Sequence, residues 1–321
     1  MAKYILRRLV ECVPLILGVI VINFILIHLA PGDPTYALIG PFQVSEEYLN
    51  QVRREFGLDQ PLPVQLFNYL SKVLQADLGY SIAFRQPVAS LILERVPYTL
   101  LLMLTALISA SAMGIFLGLV CARKPFSFLD NVSTLVGMIG YSLPVFWLGQ
   151  MLIYYFAVVL GWMPAQGMLS IRSDPEGIGK VLDILWHLIL PAFALGFRYL
   201  AITTRFTRSS MLEVMGEEYI KTARAKGLDE FTVLFRHGLR NALLPVITII
   251  GMNFGFVLSG SVLTEIVFAW PGLGRLMYDA IFARDYPVMM GMFVIVSVMV
   301  VVINLCVDLL YAVLDPRIRT H

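Results

Sequence analysis

Histidine, cysteine, serine and arginine are the side chains through which this chain could do chemistry, and their spacing narrows the choice. His28, His187, His237 and His321 are scattered, with no H-E-x-x-H zinc helix and no G-x-S-x-G nucleophile turn. A phosphate-cradling loop needs G-x-x-x-x-G-K-[ST], whereas the one Gly-Lys pair, Gly179-Lys180, is followed by Val181. ATP hydrolysis by this chain is therefore not expected, and nothing in these spacings supports an enzyme. Cys12, Cys121 and Cys306 lie in or beside apolar runs without metal-ligand or disulfide spacing, and read as packing thiols. No cofactor and no metal site is expected.

Arg198 is the one Lys or Arg well inside an apolar run. On insertion scales an arginine at the centre of a membrane helix costs about 2.5–3.5 kcal/mol, so it must find water, a partner or the surface. Two readings stay open: snorkelling to the inner surface, or lining and gating a solute path. Glu265, Glu11 and Asp308 lie nearer the ends of apolar runs and read first as boundary or helix–helix contacts, with Glu265 kept as a path candidate. His28 and His187 at run ends, with Met289, Met290 and Met292, leave a transient nickel contact open beside ordinary interfacial packing.

The elements that would position these residues follow from composition. Of 321 residues, 58% are hydrophobic and 14% charged, against roughly a quarter charged in a soluble domain. Six apolar stretches, Leu9–Ala30, Leu100–Val120, Val132–Leu160, Ile184–Phe206, Ala242–Leu263 and Val288–Leu310, are long enough to cross a bilayer, the third tilted or broken near Pro144. Lipid offers the backbone no hydrogen bonds, so such runs must be helices. Leu9–Ala30 is longer than the about 7–15 residues of a signal-peptide core and is read as an uncleaved first span. Lys and Arg concentrate in the segments that are inner if both ends are cytoplasmic. A net charge of +2 without a basic tract gives no case for nucleic acid.

The outer segment Pro31–Pro97 reads as a small folded cap. Ser45 before Glu46 and Glu47 predicts a helix start and Gly57 its stop; a second helix is expected from Pro63 to about Asp77, ending at Gly79. Gly114-x-x-x-Gly118 and Gly251-x-x-x-Gly255 predict close helix approaches. In Phe268–Leu276, Pro271, Gly272 and Gly274 allow a tight outer turn with re-entrant packing, or line a gate.

One inner stretch is conspicuously polar: "EEYIKTARAKGLDEFTVLFRHGLRNALLP", Glu217–Pro245. Glu217 and Glu218 open a helix and Lys221, Arg224 and Lys226 close it, as the helix dipole favours. Gly227 takes the position where a left-handed residue is wanted, Asp229 caps a second helix ending near Arg236 and His237, and Pro245 opens the next span. Ile220, Ala223, Leu228, Phe231, Leu234 and Phe235 give the hairpin an apolar side, suited to lying on the membrane or to docking a cytoplasmic partner.

"EEYIKTARAKGL" with "RHGLRNALLP" resembles the cytoplasmic coupling loop of ABC-importer permeases, and the chain resembles the dipeptide/oligopeptide/nickel branch in its first-subunit form nearly end to end. "YILRRL", "LAPGDP", "FGLDQPLPVQ", "ADLGYS", "RSSMLEVMGEEY", "FAWPGLGRL", "RDYPV" and "VDLLYAVLDPRIR" stand in family order. Against the broader permease pattern, Lys221 and Thr222 stand where Glu and the first Ala are usual and Ala242 replaces an Ile, so no role is carried over from that Glu. The resemblance implies an all-α membrane protein with a type I importer fold: an inner end and first helix (1–30), an extracytoplasmic cap (31–97), a permease core (98–311) with the coupling loop at about 207–241, and an inner tail (312–321). It implies Glu218, Ala223, Arg224, Gly227, Leu228 and Phe231 as the ATPase-coupling set. Implied partners are a second permease subunit, two ABC ATPase subunits and an extracytoplasmic binding protein, with the chain multi-pass in the cytoplasmic (inner) membrane. Short peptides are the expected solute; nickel chelates, glutathione, opines and oligosaccharides remain open, and an intramembrane enzyme and a secondary transporter are the rival classes.

Overall fold

The computed structural model describes residues 2–29, 45–55, 57, 59–81, 83–170 and 176–314. The "LAPGDP" stretch after Leu29, the rest of the outer segment to residue 44, and the tail from 315 lie outside them. In chain order the elements are α1 (Ala2–Leu29), α2 (Glu46–Glu55), α3 (Leu62–Leu74), a ribbon of β1 (Tyr80–Ser81) and β2 (Gln86–Pro87), α4 (Val88–Arg123), α5 (Phe128–Ser142) and α6 (Val145–Leu152). A π-helical turn, Ile153–Val159, extends α6; then come α7 (Ile178–Met215), α8 (Glu218–Ala225), α9 (Glu230–Thr232), a second π-helical turn (Val233–Leu239), α10 (Arg240–Val267), α11 (Leu273–Ala283) and α12 (Tyr286–Leu314).

Among the described residues, four helical stretches are long and apolar enough to cross a membrane: Val88–Arg123, Ile178–Met215, Glu230–Leu258 and Tyr286–Val307. α5 and the α6–π segment make a fifth if the pair is one span, bent by 110° at its break. The break has a local cause. Pro144 disfavours a helical residue before it, and Leu143 is extended at ψ 132°. Within α1, Val13–Leu26 is apolar over a shorter length.

The chain forms two compact units. In residues 1–97 with 272–302, Val88, Leu91 and Ile92 pack with Leu276, Val288 and Met292. Asp285 caps α12 through Val288 N, while Ser81 Oγ donates to its Oδ2 at 2.5 Å and Ala83 N at 3.2 Å, which clamps the ribbon beside that helix. Tyr69 on α3 donates to Met290 O (3.2 Å) and its ring stacks on Phe24 of α1; burial pushes its phenol well up from the ordinary value. Ser45 Oγ accepts from Tyr48 N at α2, and Gly57 and Gly79 take positive φ, as expected. α3 ends at Leu74, short of Asp77, because Ala76 turns left-handed (φ 59°) and Asp77 N returns to Lys72 O.

In residues 98–271 with 303–321, α7 packs along both α5 and α10. The Gly114/Gly118 expectation is realised as a seam between α4 and α7. A Cβ on Gly114 would lie 2.7 Å from Thr203 Cβ, and one on Gly118 2.5 Å from Thr207 Cβ. Gly196 continues the seam from the other helix, its place 2.8 Å from Ala106 O. A Cβ on Gly255 would meet Asn304 Oδ1 at 3.3 Å.

Two expectations need correction. The second arm of the polar hairpin does not end near Arg236 and His237: it runs through the π turn straight into α10, so Glu230–Leu258 is one helix. Pro245 consequently lies inside α10 rather than at a helix start. The π turn makes this continuity possible by keeping the helix hydrogen-bonded while shifting its register.

Candidate functional site

The hairpin from Glu217 to Leu239 is built by local rules. After α8, Gly227 sits at φ 77°. Its N–H donates to Arg224 O (2.9 Å), and Leu228 N–H donates to Ala223 O (3.4 Å). This pair of bonds is a Schellman closure, which satisfies two carbonyls the helix end would otherwise leave open. Asp229 Oδ2 then accepts from Thr232 N at 2.9 Å, capping the second arm. That amide holds the Asp229 carboxyl below the usual carboxylate range. Across the turn, Arg224 grips Glu230 with two bonds, Nη2–Oε1 at 2.7 Å and Nε–Oε2 at 3.2 Å, while Lys221 pairs with Glu218 at 2.6 Å. All four side chains are exposed, so these pairs orient the arms more than they stabilise them.

The apolar side of the hairpin divides in two. Ile220, Ala223 and Val233 are buried together against Met215, and Leu234 packs with Met211, Leu119 and Ala242. Gly238 allows this approach, since a Cβ there would meet Met215 Sδ at 3.0 Å. Asn241 Nδ2 donates to Tyr219 OH (2.9 Å), joining the two arms. Leu228, Phe231 and Phe235 face outward instead, with Phe231 69% exposed and its ring centroid 4.4 Å from that of Phe235. The result is a knob that exposes an aromatic pair together with the charged side chains of Glu218, Lys221, Arg224 and Glu230. Aromatic and charged side chains exposed together suit a protein-docking patch.

The coupling candidates thus come together in one knob, and the other candidates lie elsewhere. Arg198 is exposed near the middle of α7, its guanidinium 4.7 Å over the ring of Tyr141 on α5. Glu265 is fully buried near the end of α10 and accepts from Thr99 Oγ1 of α4 at 2.8 Å, a helix–helix contact. The turn after it is fixed by Trp270, whose backbone N–H donates to Glu265 O (2.8 Å) and whose indole donates to Tyr98 O (2.9 Å). Gly272 caps α11 in an extended conformation, with Gly274 buried in its first turn after Pro271. Phe268 O accepts from Gly167 N at 2.8 Å, tying the preceding outer loop to the same turn. His28 and His187 each bond a backbone carbonyl one turn earlier, Phe24 O and Asp183 O, at 2.8 Å.

Tyr141, Thr99, Trp270 and the Asp130–Arg208 ion pair were not singled out from the sequence. Arg208 Nη2 reaches Asp130 Oδ2 at 2.7 Å, and Asp130 also accepts from Phe126 N at 2.8 Å. Only Trp270 had a visible signal, its place in "FAWPGLGRL". The rest are pairings across long chain separations.

Two family descriptions cover nearly the whole chain: the N-terminal component of binding-protein-dependent transport membrane proteins matches residues 1–103, and the binding-protein-dependent transport system inner membrane component matches 114–320. The oligopeptide transport system permease protein AppB of Bacillus subtilis is 45% identical over 99% of this chain and 100% of its own. The dipeptide transport system permease protein DppB of Escherichia coli K12 is 42% identical over 99% of each, as is the glutathione transport system permease protein GsiC of Salmonella choleraesuis. Among solved structures, the inward-facing MetNI methionine ABC transporter aligns with a TM-score of 0.54 at 18% identity, over 70% of this chain and 96% of that one, which shows a shared fold. With its apolar helices, polar hairpin and end-to-end relatives, the chain belongs to the family of binding-protein-dependent transport system inner membrane components, the permease subunits of ABC importers.

Proposed function

We propose that this chain is one of two unlike permease subunits that together form the path for short peptides, delivered by an extracytoplasmic binding protein and driven by two separate ATPase subunits. The hairpin carries the reading. Its inner side is locked to the ends of α4 and α7, while Leu228, Phe231 and Phe235 stay outside, so a force on the tip is passed to the spans rather than absorbed by the turn. In this reading ATP-driven closure of the ATPases moves the knob, and the helices rock between outward and inward openings. Glu218, Ala223, Arg224, Gly227, Leu228 and Phe231 form the coupling set. α1 supplies a sixth span and the bent pair a single one, with both ends cytoplasmic and residues 31–97 outside. The turn around Pro271, Gly272 and Gly274 shapes the outer mouth.

Relatives named for oligopeptides and dipeptides favour a peptide solute, and the glutathione permease relative at 42% identity supports glutathione, itself a tripeptide, as a second reading. The test is ATP-dependent uptake by proteoliposomes holding both permeases and both ATPases, with the binding protein added. Accumulation of a labelled dipeptide supports the peptide reading, and accumulation of glutathione alone would replace it. ATPase activity coupled to neither would refute both.

A further inference from the structure

Three features of the unit containing α5 and α7 meet at one place. Arg198 is exposed in the middle of an apolar helix, where a cation needs a partner or water. Among the described residues its charged group rests on a ring, that of Tyr141, and no carboxylate pairs with it. Tyr141 in turn lines a cleft of about 670 Å³ between α5 and α7. That volume is within the roughly 300–1,000 Å³ typical of small-molecule sites.

The cleft is electropositive. Arg205 and Arg208 line it, and Arg205 lies two turns along α7 from Arg198, on the same face. Asp130 is the one acidic side chain in the lining, and both of its oxygens are engaged by Arg208. Its charge is therefore spent within the wall, which leaves Arg205 in the lining and Arg198, resting on the lining residue Tyr141, as the cations open to a solute.

We propose that Arg198 receives the carboxylate of the transported solute, with Tyr141 as the positioning residue that parks the guanidinium over the cleft while the site is empty. A face-on ring is a weaker partner for a guanidinium than a carboxylate, which can accept two parallel charge-assisted bonds. An arriving carboxylate therefore displaces the ring, and the waiting ring lets the carboxylate leave again. The inference rests on the peptide reading above, because the C-terminal carboxylate is the anion that every free-acid short peptide shares.

The experiment uses the full complex in proteoliposomes with its binding protein. Uptake of a labelled dipeptide and of its C-terminal amide is measured, each normalised to the amount loaded on the binding protein. Wild type should favour the free acid. In Arg198→Gln that preference should fall about tenfold to a hundredfold, towards unity, the range expected for losing a hydrogen bond to a charged group. The loss should fall on the maximal rate and not on the half-saturating concentration of loaded binding protein. Arg198→Lys should restore part of the preference; Tyr141→Phe should keep it and Tyr141→Leu reduce it. Equal acid and amide uptake by wild type, or a parallel fall of both in Arg198→Gln, would overturn the proposal. A wild-type complex that responds to its binding protein yet moves no peptide of either kind would overturn the peptide reading itself.

Discussion

Gly118 and Gly227 are constrained for opposite reasons, and substitutions should separate them. At Gly118 the backbone is ordinary helix and the space is gone, with a Cβ only 2.5 Å from Thr207 Cβ and 2.7 Å from Thr204 O. Neither contact is a flexible side-chain end. Gly118→Val should destabilise by about 1–3 kcal/mol, the usual cost of forced overpacking, and lower both the melting temperature of the purified protein and its level in the membrane. At Gly227 nothing lies within 4 Å of a new Cβ, but φ is 77°. There the cost is conformational, about 1–2 kcal/mol for an L-residue held left-handed, and confined to the turn. Membrane levels of Gly227→Ala should match wild type. A reversed order of the two variants in a thermal-shift assay would refute this division.

The hairpin as an element was largely legible, because its punctuation is local: acids before bases, a glycine at the turn, an aspartate at the cap. Its end was not. A π turn has no sequence mark that periodicity detects, so the run from Glu230 into α10 and the interior place of Pro245 emerged only from the structure. Continuity sharpens the expectation for Gly227→Val: re-aiming the turn should leave a full complex whose ATPase no longer responds to loaded binding protein. Wild-type uptake by an assembled Gly227→Val complex would refute the coupling role. Asp229 offers a milder test. Its lowered carboxyl value means the cap is complete above the unfolded value of about 3.9 and is lost as pH falls through the lower folded one. At neutral pH Asp229→Ala should therefore weaken the ATPase response severalfold, whereas Asp229→Asn, still able to accept from Thr232 N, should keep most of it.

At the scale of the molecule, the four long apolar helices and the bent pair were readable from apolar runs, and the break at Pro144 was marked by its proline, whereas α11 was not marked at all. Partnerships such as Thr99 with Glu265, or Tyr141 with Arg198, were not, because no local pattern says which spans touch. The proposed topology is checked by single cysteines at Asn68 and Lys226 in a cysteine-free background: an impermeant thiol reagent should label the first in intact cells and the second only after permeabilisation. The seam of Gly114, Gly118 and Gly196 has a mechanical consequence for a helix as long as α7. It grips α7 near Ala201, which leaves arms of roughly 20 Å towards Met215 and 35 Å towards Ile178 at 1.5 Å per residue. A fulcrum so placed makes α7 a lever of unequal arms. If α7 pivots there as one rigid rod, each ångström of travel at its Met215 end becomes about 1.7 Å at its Ile178 end, which in the proposed topology gears up a small inner stroke on the outer side.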